Sequence, residues 1–326
     1  MEPKERDGVQ TFEKGTPTMK AVRIHAYGDS SQLIYEDAPV PSILPDEVLV
    51  KVHSAGVNPV DWKIRNGHYG NPGAFTLPLI LGWDVAGTIE RTGPLVRSFR
   101  TGDAVFAHPD GSRNGAYAQY VAVRGFELAH APMNIALQVS AGIPLASQTA
   151  WMAIFEKGNL QEGQRILIHG ASGGVGIFAI QFAKLANAHV IATTSSKNID
   201  LVKSLGADEV IDYKSEDFSK KVSGIDLVFD TIGGDTQSRS CQVIRKGGTL
   251  VSIVGVDEKA AGKIDVHTAS FHMVSNGARL QQIGALVDTG LVRVIIGKEF
   301  PLSEARAAHE LSESGHAIGK IILRVE

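Results

Sequence analysis

Gly170, Gly173 and Gly176 stand three residues apart in RILIHGASGGVG, residues 165–176, directly behind an apolar, β-branched run. Between a strand and a helix, that spacing suits contact with a phosphate. Glycine at the strand end permits a tight turn, bare backbone lets a pyrophosphate approach, and a helix N-terminus offers free N–H groups and positive dipole. A glycine triplet by itself is equally an ordinary loop; the βαβ pattern around this one favours a dinucleotide. No Gly-Lys pair in the chain is followed by Ser or Thr, so the P-loop pattern is absent.

The kind of dinucleotide depends on the end of the next strand. A site for NAD places Asp or Glu there, about twenty residues beyond the glycines, to hold the ribose hydroxyls. This chain has Thr194-Ser195-Ser196-Lys197 instead. Small hydroxyls leave room for a 2′-phosphate and Lys197 supplies a charge to neutralise it, which points to NADP(H). Asp200 is the nearest acid, but it falls inside the following helix. The competing reading of Lys197 is a solvated lysine at a helix start.

Other chemistries are missing. None of the six tyrosines has lysine four residues on, so there is no Tyr-x-x-x-Lys pair to polarise a carbonyl. No H-E-x-x-H occurs, and the eleven histidines are scattered without ligand-like pairing, which argues against catalytic zinc. The single cysteine, Cys241, excludes an intrachain disulfide and every multi-cysteine metal site, and nothing around it suggests an activated thiolate.

The elements that must hold these residues fall into two textures. From Met19 to about Ala141, short alternating segments are cut by Pro39, Pro41, Pro45, Gly56, Pro59 and Gly67, a β-rich and loop-rich pattern. Within it, Glu47 to His53 alternates so that Val48, Val50 and Val52 share one face. From Gly142 the pattern alternates strand and helix. Strands are expected at Ile166–Gly170, His189–Thr194, Ile225–Asp230 and Thr249–Val254, and helices over Val175–Asn187 and Asn198–Leu205. Such alternation implies an α/β unit with a doubly wound parallel sheet. Beyond Gly290 the chain turns β-rich again, with an amphipathic helix over Glu304–Ser314 and a last strand over Lys320–Val325. The simplest arrangement inserts the α/β unit, residues 142–285, into a first domain made of 19–141 and 286–326. Residues 1–18, with four acids, three bases and no apolar run, read as a flexible extension.

Composition agrees with an ordinary globular protein: 326 residues, 43% hydrophobic, 21% charged, net charge -3. That balance gives no reason to expect nucleic acid or an anionic membrane as partner. No apolar run reaches the length of a transmembrane helix. A cytoplasmic location is the expectation.

The two-part layout, HGASGGVG, and SAGVNPVDWKIRNG with LPLILGWDVAGTI together resemble the medium-chain dehydrogenase/reductase superfamily, specifically its zinc-free quinone oxidoreductase and enone reductase branch. The likeness runs from Met19 to Glu326. It implies a GroES-like catalytic domain and a Rossmann NADP-binding domain. Zinc-dependent relatives carry cysteine where this chain has Asn58 and His-Glu where it has Trp83-Asp84, and a four-cysteine lobe where Asp103 to Tyr120 has no cysteine. The resemblance places a cofactor loop on Ser172, Gly173, Gly174 and Val175, and 2′-phosphate ligands on Lys197 and Tyr213, beside Ser195 and Ser196. Its nicotinamide neighbourhood falls on Asn58, Thr149, Val254 and Gly255, and its closing segment brings Gly319 and Lys320 near the cofactor. Asp61 matches its N-x-x-D pattern, and Trp62 replaces a tyrosine common in relatives.

The resulting expectation is an NADPH-dependent, metal-independent reductase of a quinone or an α,β-unsaturated carbonyl, acting as a homodimer. Hydride delivery to such an acceptor leaves a delocalised oxyanion that needs less electrophilic help than a simple alkoxide. Asn58 and Tyr69 are the side chains expected to donate hydrogen bonds, and Asp61 is a further catalytic candidate, each with a packing or capping role as the alternative. A second function class is an NADPH-binding sensor with little turnover, favoured if the indoles of Trp62 and Trp83 fill the cleft. The segments 68–75 and 270–277 are the expected substrate loops, and the apolar stretch 286–296 is either core or a subunit interface.

Overall fold

The computed structural model describes residues 17–69, 75–257 and 265–325. Most of the expected extension, residues 1–16, and most of the first expected substrate loop, residues 70–74, lie outside them. The first strand starts slightly earlier than expected: Thr18–Ile24 pairs Thr18 with Pro39, and the Pro17 carbonyl accepts from the Val40 amide.

The α/β unit is built on six parallel strands in the spatial order Glu209–Asp212, His189–Thr194, Arg165–Ile168, Ile225–Asp230, Ile244–Ser252, His267–Ser270. The chain winds outward from Arg165–Ile168 in one direction and then returns to its other side with Ile225–Asp230. That reversal is the topological switch point at which such sheets open a ligand crevice beyond their strand ends. Ile166, Leu167, Ile168, Val190, Ile191, Ala192, Leu227, Val228 and Phe229 are all buried, as befits strands covered on both faces.

Helix Gly176–Leu185 follows the glycine loop and is buried nearly all round from Gly176 to Ala183. Phe182 stacks near Phe178 and meets Trp151 edge-on, so the helix is pressed between the sheet and helix Pro144–Trp151. Its one buried polar side chain, Gln181, is fully used. Its amide nitrogen donates to the carbonyls of Ile177 and Arg293, and its oxygen accepts from the Arg293 amide. A polar residue in an apolar helix thus ties the glycine helix to the returning C-terminal segment.

The first part of the chain forms a second large sheet in the order Ile296–Pro301, Lys320–Arg324, Glu47–Val57, Asp84–Thr92, Ala104–Ala107, Leu128–His130, with Tyr120–Arg124 also pairing to Glu47–Val57. The C-terminal strands therefore complete the sheet begun by residue 47. Val48, Val50 and Val52 are buried as their alternation predicts, but Leu49 and Glu47 are buried too. Glu47 escapes solvent because Arg113 and the backbone amide of Leu44 reach its carboxylate.

Helix Gly277–Asp288 runs across the division expected at 285/286 and packs its first turn on Leu128–His130, where a Cβ on Gly277 would lie 2.3 Å from the Leu128 carbonyl oxygen. Within 286–296, Val287 and Val292 are buried core, Leu286, Val294, Ile295 and Ile296 are half-buried against it, and Leu291 is exposed. Among the described residues no helix is long and apolar enough to cross a membrane.

Candidate active site

The glycine loop has a distinct job for each glycine. Gly170 has φ +65°, and a Cβ there would lie 2.4 Å from the Thr231 hydroxyl. A Cβ on Gly176 would lie 2.4 Å from the Gly170 carbonyl oxygen and 2.7 Å from Ala171, so the helix can start this close to the turn only as glycine. Gly173 and Gly174 face the C-terminal segment: Gly173 bridges to Gly319, the Gly319 amide donates to the Ser172 carbonyl at 2.8 Å, and a Cβ on Gly174 would lie 3.0 Å from Cδ of Lys320. Val175 is the N-cap of the helix, without a side-chain cap bond. This is a backbone cradle that side chains would fill, at the N-terminus of a ten-residue helix, and it fits the pyrophosphate of a dinucleotide.

The Ser172 hydroxyl accepts from Thr194 at 3.0 Å and from Asn198 at 2.9 Å, and Asn198 also reaches Ser195 at 3.3 Å. Ser195 is buried in this link between the loop and the second strand, whereas Ser196 and Lys197 are exposed. Tyr213 is exposed as well, and its amide donates to the Thr194 carbonyl at 3.1 Å across the adjacent strand pair. Lys197 and Tyr213 therefore emerge from neighbouring strand ends, and Lys197 makes no ion pair among the described residues.

Across the switch point, Asp230 organises the opposing turn. One oxygen accepts from the amides of Ile232 and Gly233, and the other accepts from Gln237 at 2.7 Å and Ser252 at 3.0 Å. Gln237 also donates to the Gly255 carbonyl, fixing the turn that leaves Val254 exposed and Gly255 at φ +96° with open space where a Cβ would be. Thr149 is nearly buried on helix Pro144–Trp151, and its hydroxyl donates back to the Leu145 carbonyl at 2.7 Å.

The third part of the site is a buried charge cluster. The register pairs Ile321 with Val57 and Asp84 with Gly56, which sets Lys320, Asn58 and Asp84 side by side. Gly56 makes room, since a Cβ there would meet Asp84 at 2.8 Å. Lys320 Nζ donates to Asn58 Oδ1 and lies 3.4 Å from both Asp84 Oδ2 and the Val57 carbonyl oxygen. Asn58 Nδ2 donates to the same Asp84 oxygen at 2.8 Å. The other oxygen of Asp84 accepts from the Leu145 amide at 2.8 Å and sits 3.1 Å from His108 Nδ1. Burial alone would raise the Asp84 carboxyl, but Lys320, His108 and Asn58 outweigh it and hold the acid below its ordinary value.

Asp61 lies next to this cluster and is fully buried. One oxygen accepts from the Asn58 amide at 2.8 Å, the returning half of a capping box at the start of helix Pro59–Arg65, and from the Tyr117 hydroxyl at 2.8 Å. Its other oxygen has no partner. Burial, helped by the charge of Asp84, raises the carboxyl to about 7 against the pull of Asn58, Tyr117 and Lys320. The chain of bonds continues to the surface. Arg65 donates to His309 Nδ1 at 3.2 Å, which leaves the proton of the neutral ring on Nε2 to donate to the Tyr117 oxygen at 3.2 Å. Burial and Arg65 push His309 down to about 3, and Arg65 closes on Glu313 at 2.8 Å. Asp61 is thus enclosed and holds Asn58 and Tyr117.

Tyr69, by contrast, is exposed, with its hydroxyl 3.4 Å from His272 Nδ1 and the rings edge-on at 6.4 Å. The pair joins the start of the first expected substrate loop to the second one. Ser275 in the same segment donates to the His108 carbonyl. Trp83 is committed to the core, its indole N–H on the Arg113 carbonyl at 3.3 Å. Trp62 is half-buried, with a buried N–H that has no partner. Cys241 is buried, and burial raises its thiol.

Sequence reasoning missed Tyr117, His108, Arg65, His309, Asp230 and Gln237. Asp230 ends an apolar strand, a position open to recognition, and Gln237 lies seven positions beyond it; Arg65, Tyr117 and His309 act through partners farther away in sequence.

A Rossmann-ordered sheet joined to a largely antiparallel sheet, with a phosphate cradle against a buried polar cluster, defines a dinucleotide-dependent oxidoreductase of two-domain type. Comparison with known families agrees. Residues 44–133 match the alcohol dehydrogenase GroES-like domain and residues 205–323 match the zinc-binding dehydrogenase family. The chain is 34% identical to the human "NAD(P)H oxidoreductase RTN4IP1, mitochondrial", covering 97% of this chain and 92% of that one. It is also 34% identical to "Quinone-oxidoreductase QR1, chloroplastic" of Triphysaria versicolor, over 94% and 98% of the two chains. Among solved structures, the quinone oxidoreductase of Coxiella burnetii superposes with a TM-score of 0.91 at 32% identity, over 95% of this chain and all of that one. An NADPH complex of the Escherichia coli quinone oxidoreductase gives 0.85 at 25% identity, covering 94% and 99%. The chain belongs to the medium-chain dehydrogenase/reductase superfamily. The organelle names of these relatives leave the cytoplasmic expectation without support.

Proposed function

We propose that this protein is an NADPH-dependent, metal-independent reductase of quinones or α,β-unsaturated carbonyls. The observation that carries the reading is the exposed end of the second parallel strand, where Ser196, Lys197 and Tyr213 stand free and the position usual for an NAD-binding acid holds none. Bound NADPH supplies a hydride. Ser172 to Gly176, with the N–H groups of the following helix, hold its pyrophosphate; Lys197 and Tyr213 take the 2′-phosphate; Thr149, Val254 and Gly255 border the nicotinamide.

A zinc ion does not suit the residues at the zinc positions of the family. Asn58 and Asp84 are already bonded to each other, and the Lys320 ammonium lies against both, a poor neighbour for a second cation. The cleft instead offers hydrogen-bond donors, Asn58 and the Tyr69 hydroxyl, to an acceptor whose developing negative charge is delocalised. Relatives named as a tomato 2-methylene-furan-3-one reductase and an Arabidopsis NADPH-dependent alkenal/one oxidoreductase, each 34% identical, support this acceptor class. Residues 142–285 are proposed as the cofactor unit and 19–141 with 286–326 as the catalytic unit, with homodimer formation resting on His267–Ser270, the edge strand of the parallel sheet among the described residues.

The test follows NADPH and NADH oxidation against a 1,2-quinone, a 1,4-quinone, a linear enone and a simple aldehyde, with and without a chelator. Chelator-resistant turnover of quinone or enone with NADPH preferred is the expected result. Tight NADPH binding with no acceptor reduced would sink the reading and leave the sensor.

A further inference from the structure

Resting on that reading, we propose that Lys320 is a positioning residue: its ammonium fixes the orientation of the Asn58 carboxamide, and its stem transmits the state of the cofactor loop to that amide.

An asparagine side chain has one acceptor oxygen and two N–H donors, and its two ends are easily exchanged by rotation. Here the ends are distinguished by charge. The ammonium of Lys320 can only donate, so it must face Oδ1; the Asp84 carboxylate can only accept, so it must face Nδ2. Rotating the amide by half a turn would place donor against donor and acceptor against acceptor inside a buried cluster. With Oδ1 occupied and one N–H spent on Asp84, a single N–H of known direction remains for an acceptor oxygen. The Asn58 backbone is held independently by Asp61, whose carboxylate accepts from the Asn58 amide.

The other end of Lys320 touches the phosphate loop. A Cβ on Gly174 would lie 3.0 Å from Lys320 Cδ, and the preceding residue, Gly319, donates its amide to the Ser172 carbonyl and is bridged to Gly173. The stem also packs at Gly142, where an added Cβ would lie 3.4 Å from Lys320 Cβ. Lys320 is only 3% exposed, so the ammonium has no solvent to compensate for a displacement. Movement of the loop on binding a dinucleotide is therefore passed along a four-carbon stem to the amide.

The test compares Lys320→Met with the double variant Asp84→Asn plus Lys320→Met, which removes both charges together. Thermal midpoint, NADPH dissociation constant, kcat and KM are measured for each. The expected result is that the double variant recovers most of the midpoint lost by Lys320→Met, yet both variants keep a kcat about ten- to a hundredfold below that of the parent protein, with KM and NADPH affinity changed only about two- to threefold. Recovery of kcat in the double variant would overturn the proposal, because the pair would then serve stability alone. A measurement without turnover separates this from failure of the proposed activity. In protein labelled with ¹⁵N at lysine, the Lys320 Nζ resonance is expected to shift on addition of NADPH, and to be displaced in nucleotide-free Gly174→Ala. A resonance indifferent to both would overturn the coupling even if quinones are reduced. If the resonance responds but no acceptor is turned over, the coupling stands and the reductase reading falls.

Discussion

The phosphate cradle and the buried charge cluster meet along the stem of Lys320 and are made in opposite ways. The cradle is backbone: its residues are contiguous, its specificity comes from absent side chains, and its polar groups wait for a ligand. The cluster is side chain: Asn58, Asp84 and Lys320 come from three segments up to 262 positions apart, and the polar groups have already found one another. The first region binds by staying open. The second orders donors by being closed, and it must solve its own electrostatics before any ligand arrives. A protein with both can recognise its cofactor through local sequence while its reacting end depends on assembly of the whole fold.

The largest test of this contrast falls on the closed side. Asp84→Asn leaves the Lys320 ammonium buried without its anion, and a loss of roughly 3–5 kcal/mol in unfolding free energy is expected by denaturant titration. A change below about 1 kcal/mol would mean that the cluster is wetter and looser than its burial implies. On the open side, Gly176→Ala forces a Cβ toward the Gly170 carbonyl and is expected to cost about 1–3 kcal/mol while weakening NADPH binding, read by calorimetry and unfolding together. Lys197→Ala has a narrower effect. It removes one charge-assisted contact, so NADPH affinity drops by about ten- to a hundredfold with NADH affinity and thermal midpoint unchanged. Equal losses for both nucleotides would remove Lys197 from the 2′-phosphate site.

The smallest expected effect concerns pH and the edge of the closed cluster. Burial raises the Asp61 carboxyl to about 7, so the folded protein keeps that proton where the unfolded chain has released it. The associated stability is complete below about pH 4 and is lost as pH climbs through about 7. His309 and His169, buried neutral with values pushed down to about 3 and about 4, act in the opposite sense over the acid range, but they are common to parent and variant. Asp61→Asn should therefore gain thermal midpoint relative to the parent protein on going from pH 5 to pH 8. A difference independent of pH would place the carboxyl at an ordinary value.

Much of the fold was legible for plain reasons. Period-two and continuous apolar runs named the central strands of both sheets, and the glycines named the loop between strand and helix. Gly176 was readable because the Gly170 carbonyl that constrains it lies six residues away, whereas the close approach of Thr231 to Gly170 spans 61 positions. Lys320 was placed near the cofactor by resemblance, but nothing in GHAIGKIIL tells that its ammonium turns away from solvent toward Asn58. Tyr117 and His309 were invisible for the same reason: each is one ordinary residue whose partner lies 56 or 192 positions away. The apolar stretch 286–296 had two readings because periodicity reports burial without saying what does the burying.

The sequence by itself determined the parallel sheet, the glycine cradle and the hydroxyl-and-lysine end of the second strand, since each is set by backbone sterics and side-chain type over short range. Only the tertiary structure decided which polar residues would face one another. Pairing Ile321 with Val57 and Asp84 with Gly56 is a matter of register between distant strands, and a register shifted by one residue would send Lys320 to the other face of its sheet.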